Sequence, residues 1–363
     1  MGRVDVIPVN LGARSYRILV GAGALSCIGP ELSALGVGRR AILVSDRGIL
    51  ALHGDAVRAS LTGAGFEVAE FLVPEGEAAK QLRVAERAWD AFVAARLDRT
   101  GTVVALGGGA VGDVAGFAAA TYMRGVNFVQ VPTTLLGQVD ASSGGKTAID
   151  HPTAKNLIGA FHQPRLVVVD TVTLRTLPDR DYRSGLAEVI KHGIVLDPDY
   201  FADLERNIAP LLARDEATLA RVVAGSCRIK GAVVERDETD GDMRNVLNYG
   251  HTIGHAVEAA TGYARWTHGE AVALGIAAEA RIATRLGVAS GDTEARQVSL
   301  LAAAGLPVKG SGAAPAAVLD ALGRDKKAKN GRVPIVLAPE IGKFRVVFDV
   351  PPAAIVAALE EVA

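Results

Sequence analysis

The run NYGHTIGHAVE places His251 and His255 four residues apart, with Glu258 three residues further on and His268 seventeen residues beyond His251. Two imidazoles four apart on a helix point to one spot and can grip a divalent metal. Four of the seven histidines lie elsewhere, so the clustering is modest, and a capped, hydrogen-bonded helix with surface histidines is the ordinary alternative. Glu188 sits among apolar neighbours in SGLAEVIK, where a buried carboxylate needs a cation. Lys191, one turn on, is one candidate, and a metal shared with the histidines is another. One glutamate with two histidines leaves coordination positions open, which suits a catalytic rather than a structural ion.

A second constellation is GGGAVGD, in which Gly107, Gly109 and Gly112 satisfy GxGxxG between an apolar run and a helical one. In that context backbone approaches a pyrophosphate closely and helix N-terminal N–H groups face it, although a plain tight turn explains the glycines equally well. The acidic residue that should follow by ~20 positions to hold a ribose is not evident, whereas Asp46 ends an earlier strand and can take that part. A third group, Arg124, Lys146 and Lys155, is interleaved with Thr133, Thr134, Ser142, Ser143, Gly144, Gly145 and Asn156. Small and hydroxyl-bearing residues beside cations suit an anionic small molecule.

Several elements must position these groups. Arg3 to Val9 and Ser15 to Val20 alternate as a hairpin around Gly12, and Ala41 to Ser45, Thr102 to Leu106 and Leu166 to Asp170 are continuous β-branched runs, with Phe128 to Val131 as a fourth. Ala78 to Arg96 has helical spacing at Leu82, Ala85, Trp89 and Phe92. That alternation predicts an α/β N-terminal domain with a parallel sheet, over 1–180. From Asp181 the chain turns to long Ala- and Leu-rich segments, Ala217 to Glu235, His251 to Thr261, Glu270 to Leu286 and Asp292 to Ala304. These predict a mainly α-helical C-terminal domain over 181–363, interrupted by a small hairpin from Val333 to Leu337 and Phe344 to Val350 before a last helix at Ala353 to Val362.

Composition narrows the classes. The 363 residues are 49% hydrophobic and 22% charged, and 39 basic against 40 acidic residues give a net charge of -1, which supplies no broad field for nucleic acid or an anionic membrane. Cys27 and Cys227 are too few for a disulfide framework and form no CxxC pair, so the expected compartment is reducing and cytoplasmic. No run reaches the ~18 apolar residues of a membrane span, and the N-terminus has no apolar leader segment.

The segments GGGAVGDVAGFAAATYMRG, QVPTTLLGQVDASSGGKTAID, AKNLIGAF, GLAEVIKHG, LNYGHTIGHAVE and HGEAVALG follow in an order that resembles the 3-dehydroquinate synthases, within the sugar phosphate cyclase superfamily. The resemblance runs from the strand before Asp46 to Asp325, Lys326 and Lys327. It implies an NAD-binding N-terminal domain, a metal-bearing helical C-terminal domain, an active site in the cleft between them, and a homodimer. The metal, Zn2+ or Co2+, would be held by Glu188, His251 and His268, so that His255 faces substrate. NAD would be met by Asp46, Glu75, Lys80, Gly109, Ala110, Val111, Gly112, Asp113, Thr133, Thr134, Lys146, Lys155, Thr173, Leu174, Arg175 and Thr176. The substrate, a phosphorylated sugar acid, would be met by Arg124, Lys146, Asn156, Lys191, Lys230, Arg244, Asn248, His255 and one of Lys326 or Lys327, with Lys155 able to serve both ligands. Ala141, Ser143, Thr153, Ala154 and Ser184 depart from the usual pattern, and none carries an assigned chemical role.

The implied reaction converts 3-deoxy-D-arabino-heptulosonate 7-phosphate (DAHP) to 3-dehydroquinate and phosphate, a step of the shikimate route to aromatic amino acids. Hydride leaves C5 for NAD, phosphate departs by β-elimination, hydride returns, the ring opens and an enolate closes on the C2 ketone. The metal acts as a Lewis acid. The substrate phosphate is itself a candidate acceptor of the C6 proton, and His255 a candidate relay. Three other readings compete: another cyclase such as an amino-dehydroquinate synthase, a metal-dependent polyol dehydrogenase, and a non-catalytic sensor. Lys230, Arg244, Asn248 and Asn156 favour an acidic substrate over a polyol, and no metal ligand or proton-transfer group is missing.

Overall fold

A computed structural model describes residues 4–241, 243–323 and 333–363. They divide into two compact units, one running to Pro178 and including Leu219–Thr239, the other comprising Asp179–Thr218 and the chain from Asp240 onward.

The first unit opens with β1 (Asp5–Val9) and β2 (Tyr16–Gly21), an antiparallel pair in which Asp5 faces Val20 and Val9 faces Tyr16. There follow α1 (Ile28–Ala34), β3 (Arg40–Asp46), α2 (Arg47–Gly63), β4 (Glu67–Val73), α3 (Leu82–Ala94), β5 (Thr102–Gly107), α4 (Gly109–Thr121), β6 (Asn127–Pro132), the hairpin of β7 (Lys146–His151) and β8 (Ala154–Phe161), and β9 (Leu166–Asp170). Seven strands form one sheet in the order β1-β2-β9-β6-β5-β3-β4, parallel throughout except at β1-β2. The central strands are apolar on both faces because helices cover both. Ile42, Val44, Val103 and Ala105 join Phe92 and Val114 on one side, while Leu43, Val104, Val129 and Val168 join Ile28 and Leu61 on the other.

Chain order fixes where a ligand can enter. From β3 the chain moves outward to β4, then returns to place β5 on the opposite flank of β3. Such a reversal opens a crevice at the carboxyl ends of the two strands, here at Asp46 and Gly107. Two expectations shift. The predicted helix from Ala78 starts at Leu82, because Gly76–Ala79 forms a separate 3-10 turn and Gln81 is extended, with ψ 145°. The chain from Lys146 to Phe161, for which the sequence suggested no element, is a β-hairpin.

The second unit begins with α5 (Asp179–Leu196) and α6 (Pro198–Leu212), the latter capped by Asp197, which accepts from the Asp199 and Tyr200 amides. From Leu219 on, α7 (Glu216–Arg236) packs with the first unit, which a division at residue 180 does not anticipate. Asn10 donates its amide to Glu235 (2.6 Å), and Arg14 and Arg228 pair with Glu238 and Asp5, each at 2.8 Å. Then come α8 (His251–Ala260), α9 (His268–Arg285), α10 (Gly291–Ala303), α11 (Pro315–Gly323), the antiparallel pair β10 (Ile335–Leu337) and β11 (Arg345–Val347), and α12 (Pro352–Val362). Their core gathers Ile253, Val257, Leu274, Ala278, Ile282, Leu337 and Leu359. Among the described residues, no helix is long and apolar enough to cross a membrane.

Candidate functional site

In the second unit, α5, α8 and α9 each deliver one polar group to a single point. Their backbones must touch to do so, and glycine permits it. A Cβ on Gly275 would lie 1.9 Å from the Gly250 carbonyl, locking α9 to the start of α8, and one on Gly269 would lie 1.8 Å from the Ser184 carbonyl of α5. The first residue of α9, His268, is fixed by a capping box in which Thr267 accepts from the Glu270 amide and Glu270 reaches back to Thr267, while Arg180 pairs with Glu270 at 2.7 Å. At α8 the cap residue Gly250 has no side chain. Glu279, fully buried on α9, supplies the missing acceptor by taking the Gly250 amide (2.6 Å) and the Ile253 amide (3.4 Å).

The point of convergence is the carboxylate of Glu188, which is wholly buried. Lys191 ion-pairs with its Oε2 and donates to the Leu247 carbonyl at 2.7 Å. His251 Nε2 stands 3.4 Å and His268 Nε2 3.6 Å from Oε1. Burial works to raise the Glu188 pKa, yet the Lys191 ammonium holds it well below the usual carboxylate range. Burial and Lys191 together hold His251 well below its ordinary value, so its ring is neutral. His251 Nδ1 lies 3.1 Å from the Tyr249 carbonyl and donates there, which turns the lone pair of Nε2 toward Glu188. Two lone pairs then face each other, and neither Glu188 oxygen receives a well-directed hydrogen bond from a described residue. A divalent cation resolves this arrangement, and one carboxylate oxygen with two imidazole nitrogens, all within 4.8 Å of one another, fits zinc or cobalt. For His268 burial opposes charge, but the neighbouring Glu188 and Glu258 carboxylates win and push its pKa up to about 10.

His255 packs its ring 5.3 Å from His251 and 5.8 Å from His268, centroid to centroid, and forms a second group with Glu258 and His268. Spacing alone paired His251 with His255, whereas around Glu188 the structure gathers His251 and His268. Arg244 is buried in the turn Met243–Asn248, and Asn248 donates to Asn245 at 3.3 Å. Lys326 and Lys327 lie outside the described residues.

In the first unit, the expected nucleotide residues fall at the carboxyl ends of parallel strands. Asp46 ends β3 and accepts the Ile49 amide at 2.9 Å. Gly107 ends β5, and Gly109, Ala110 and Val111 open α4 with Gly108 as cap, so the first-turn amides face the crevice end of the sheet. A Cβ on Gly112 would meet the Gln130 side chain at 2.6 Å, so this glycine lets α4 lie close on β6. Thr133 and Thr134 follow β6, and Thr173, Leu174, Arg175 and Thr176 follow β9 in a 3-10 turn. The Thr133 and Ser142 hydroxyls are buried without a hydrogen-bond partner among the described residues, and Ser142 lines a small cavity with Gly108 and Gly109. Thr173 donates to the Asp170 carbonyl (2.7 Å), Thr176 meets His53 (3.0 Å), and the Leu174 side chain is wholly in the core. Glu75, Arg175 and Lys155 are exposed, the last 3.5 Å from Glu77.

Lys80, expected among the nucleotide residues, is buried, pairs with Asp113 at 2.6 Å, and also donates to the Asn156 side chain, expected in the substrate set. Burial raises the Asp113 pKa to about 6 in spite of Lys80. Lys146 heads β7 and Arg124 is exposed in a turn where Met123 and Arg124 both have positive φ, 50° and 66°. Lys230 is buried and salt-bridged to Asp140 at 2.5 Å. Asp140, Glu279 and Gln130 escaped the sequence reading. The first sits in QVDASSGGK, a stretch read for its cations, and a lone acid there was a usable signal.

The arrangement defines a nucleotide-and-metal enzyme built on a doubly covered parallel sheet with a helical metal unit. Residues 70–184 match the family described as 3-dehydroquinate synthase N-terminal and residues 185–328 the family described as 3-dehydroquinate synthase C-terminal. The 3-dehydroquinate synthase of Pelotomaculum thermopropionicum is 51% identical over 94% of this chain and 92% of its own length. Among solved structures, 2-epi-5-epi-valiolone synthase (ValA) from Streptomyces hygroscopicus subsp. jinggangensis, with NAD+ and Zn2+ bound, is 28% identical with a TM-score of 0.88, covering 99% of both chains. A 2-deoxy-scyllo-inosose synthase complexed with carbaglucose-6-phosphate, NAD+ and Co2+ is 25% identical with a TM-score of 0.87, covering 99% of this chain and 100% of its own. This chain belongs to the 3-dehydroquinate synthase family.

Proposed function

We propose that this protein converts DAHP to 3-dehydroquinate and phosphate, with NAD and one divalent ion, zinc or cobalt, as cofactors. The observation that carries the reading is the buried Glu188 carboxylate, flanked by Lys191 and facing two imidazole nitrogens, in a chain 51% identical to a 3-dehydroquinate synthase. Glu188, His251 and His268 would hold the ion, and the crevice end of β3, β5, β6 and β9 would hold NAD. When bound, these groups supply Lewis-acid polarisation of a substrate oxygen and a reversible hydride acceptor.

The chain's own residues do the rest. Lys191, fixed by Glu188 and the Leu247 carbonyl, offers a positive charge beside the metal position and neutralises the buried carboxylate. Arg244 presents a planar fork for an oxyanion, and Arg124, Lys146, Asn156, Lys230 and Asn248 complete the set of donors for carboxylate, phosphate and hydroxyls. Asp140 orients Lys230. His255, whose ring lies beside those of His251 and His268 yet outside the Glu188 group, would relay a proton to or from substrate. Lys80, paired with Asp113 and bonded to Asn156, ties the helix at the glycine turn to the β7-β8 hairpin. We infer a homodimer, on the family resemblance, and a cytoplasmic setting, supported by two free cysteines, one buried and one half-buried.

The test is to supply purified protein with DAHP, NAD and zinc and identify the product by mass and NMR. Phosphate release should continue for many turnovers per NAD without matching growth of NADH absorbance, since the hydride is returned. One-to-one accumulation of NADH would instead support a dehydrogenase, and preference for a sugar phosphate lacking the carboxylate would support another cyclase.

A further inference from the structure

The two histidines that face Glu188 are supported differently on their far sides. His251 has its Nδ1 served by a backbone carbonyl, that of Tyr249, at 3.1 Å. His268 has its Nδ1 3.9 Å from Oε2 of Glu258, while its Nε2 points to Glu188 Oε1 at 3.6 Å. Glu258 lies seven residues after His251 on α8, two helical turns along one face, and its side chain is only 14% exposed. Its backbone is pinned at the end of that helix, where its carbonyl accepts the Tyr263 amide at 2.8 Å and the Thr261 hydroxyl at 3.2 Å. A carboxylate so placed has few other things to do. It faces the ring nitrogen opposite the one that faces Glu188.

We propose that Glu258 is a positioning residue of the metal centre, whose carboxylate accepts the Nδ1–H of His268 and so fixes the ring with Nε2 deprotonated and aimed at the ion. An imidazole can present only one nitrogen lone pair while its other nitrogen keeps the proton, so an acceptor behind Nδ1 selects the tautomer that binds through Nε2 and raises its basicity. The gap closes by about 1 Å to reach hydrogen-bond distance. His255 also has a ring nitrogen near Glu258, and service to that histidine is the rival role.

The inference rests on Glu188, His251 and His268 as ligands, and the experiment separates the two. Zinc is titrated into metal-free wild-type protein, Glu188→Gln and Glu258→Gln in competition with a chelator at neutral pH, with circular dichroism as the check on folding. The wild type should take up one equivalent and Glu188→Gln should lose tight binding; absence of uptake by the wild type would remove the ligand reading and this inference with it. Glu258→Gln should fold and bind zinc about 10- to 100-fold more weakly. Unchanged affinity in Glu258→Gln, with the wild type and Glu188→Gln behaving as stated, would overturn the role of Glu258 alone. Histidine 15N NMR of the zinc-loaded wild type gives an answer that needs no variant. Its His268 should show a protonated Nδ1 and a metal-shifted Nε2; the opposite tautomer, or a Glu258-dependent shift confined to His255, would refute the assignment.

Discussion

Replacing Glu279 by glutamine should loosen the start of α8 and with it the histidine that α8 contributes. Glu279 is wholly buried and acts as a cap supplied by a neighbouring helix, taking the Gly250 amide at 2.6 Å and the Ile253 amide at 3.4 Å. The short contact is a charge-assisted hydrogen bond worth about 1.5–3 kcal/mol, and the long one about 0.5 kcal/mol. A negative charge at the positive end of α8 adds about 0.3–2 kcal/mol. Glutamine keeps one acceptor, loses the charge and aims its amide hydrogens at an N–H, so the net loss should be about 2–4 kcal/mol. For a unit of this size that lowers the melting temperature by about 4–16 °C. Differential scanning calorimetry and urea midpoints on metal-free protein measure it, and zinc affinity should fall in parallel because His251 is the first residue of the capped helix. A Glu279→Gln protein with unaltered midpoint and unaltered zinc affinity would refute the cap and the link between the cap and the metal site.

Three further outcomes are expected. His268→Ala should fold but lose its zinc, measured by elemental analysis, whereas His255→Ala should keep zinc and lose turnover; zinc loss in the latter would restore the pairing of His251 with His255. Arg244→Lys preserves charge but not the planar fork, and should cost about 2–5 kcal/mol in kcat/KM for DAHP while leaving NAD binding nearly untouched; unchanged turnover would remove Arg244 from the substrate contacts. Because the His268 pKa is raised to about 10 in the metal-free chain, the ring is protonated at neutral pH, and zinc must displace that proton. Calorimetric titration in buffers of differing ionisation enthalpy should therefore find about one proton released at neutral pH, with affinity climbing as pH rises toward that pKa.

Much of the scaffold was legible because its strands are buried on both faces. AILVS, TVVAL and LVVVD are continuous apolar runs, and each forms a central strand. The edge strand β4 was not, since EVAEFLV carries two glutamates and its exposed residues, Glu67, Glu70 and Leu72, keep no strict alternation. The β7-β8 hairpin was not legible either, since KTAIDH and AKNLIGAF mix charged, small and apolar residues and their pairing depends on partners across a turn rather than on local propensity. At the metal site the residue types were visible but the geometry was not. Spacing within α8 favours His251 with His255; the family resemblance named His268 instead, and the contact of α9 with α8 and α5 through Gly275 and Gly269 supplies the physical reason that a histidine seventeen residues away stands 3.6 Å from Glu188. Glu279 was invisible for a related reason, because its amide partners lie on another helix.

The placement of α7 bears on how the chain comes to be folded as it is made. The N-terminal hairpin meets residues more than two hundred positions later, through Asn10 with Glu235, Arg14 with Glu238 and Asp5 with Arg228. On a ribosome the chain emerges from its N-terminus, so the sheet can assemble early while its outermost hairpin waits for α7. The polypeptide leaves the first unit at Pro178, re-enters at Leu219 and leaves again at Thr239. Neither unit is then a contiguous stretch of gene. A protein cut once at residue 178 should give an N-terminal fragment missing one of its own helices, and a separately supplied 219–239 segment is the piece that would complete it.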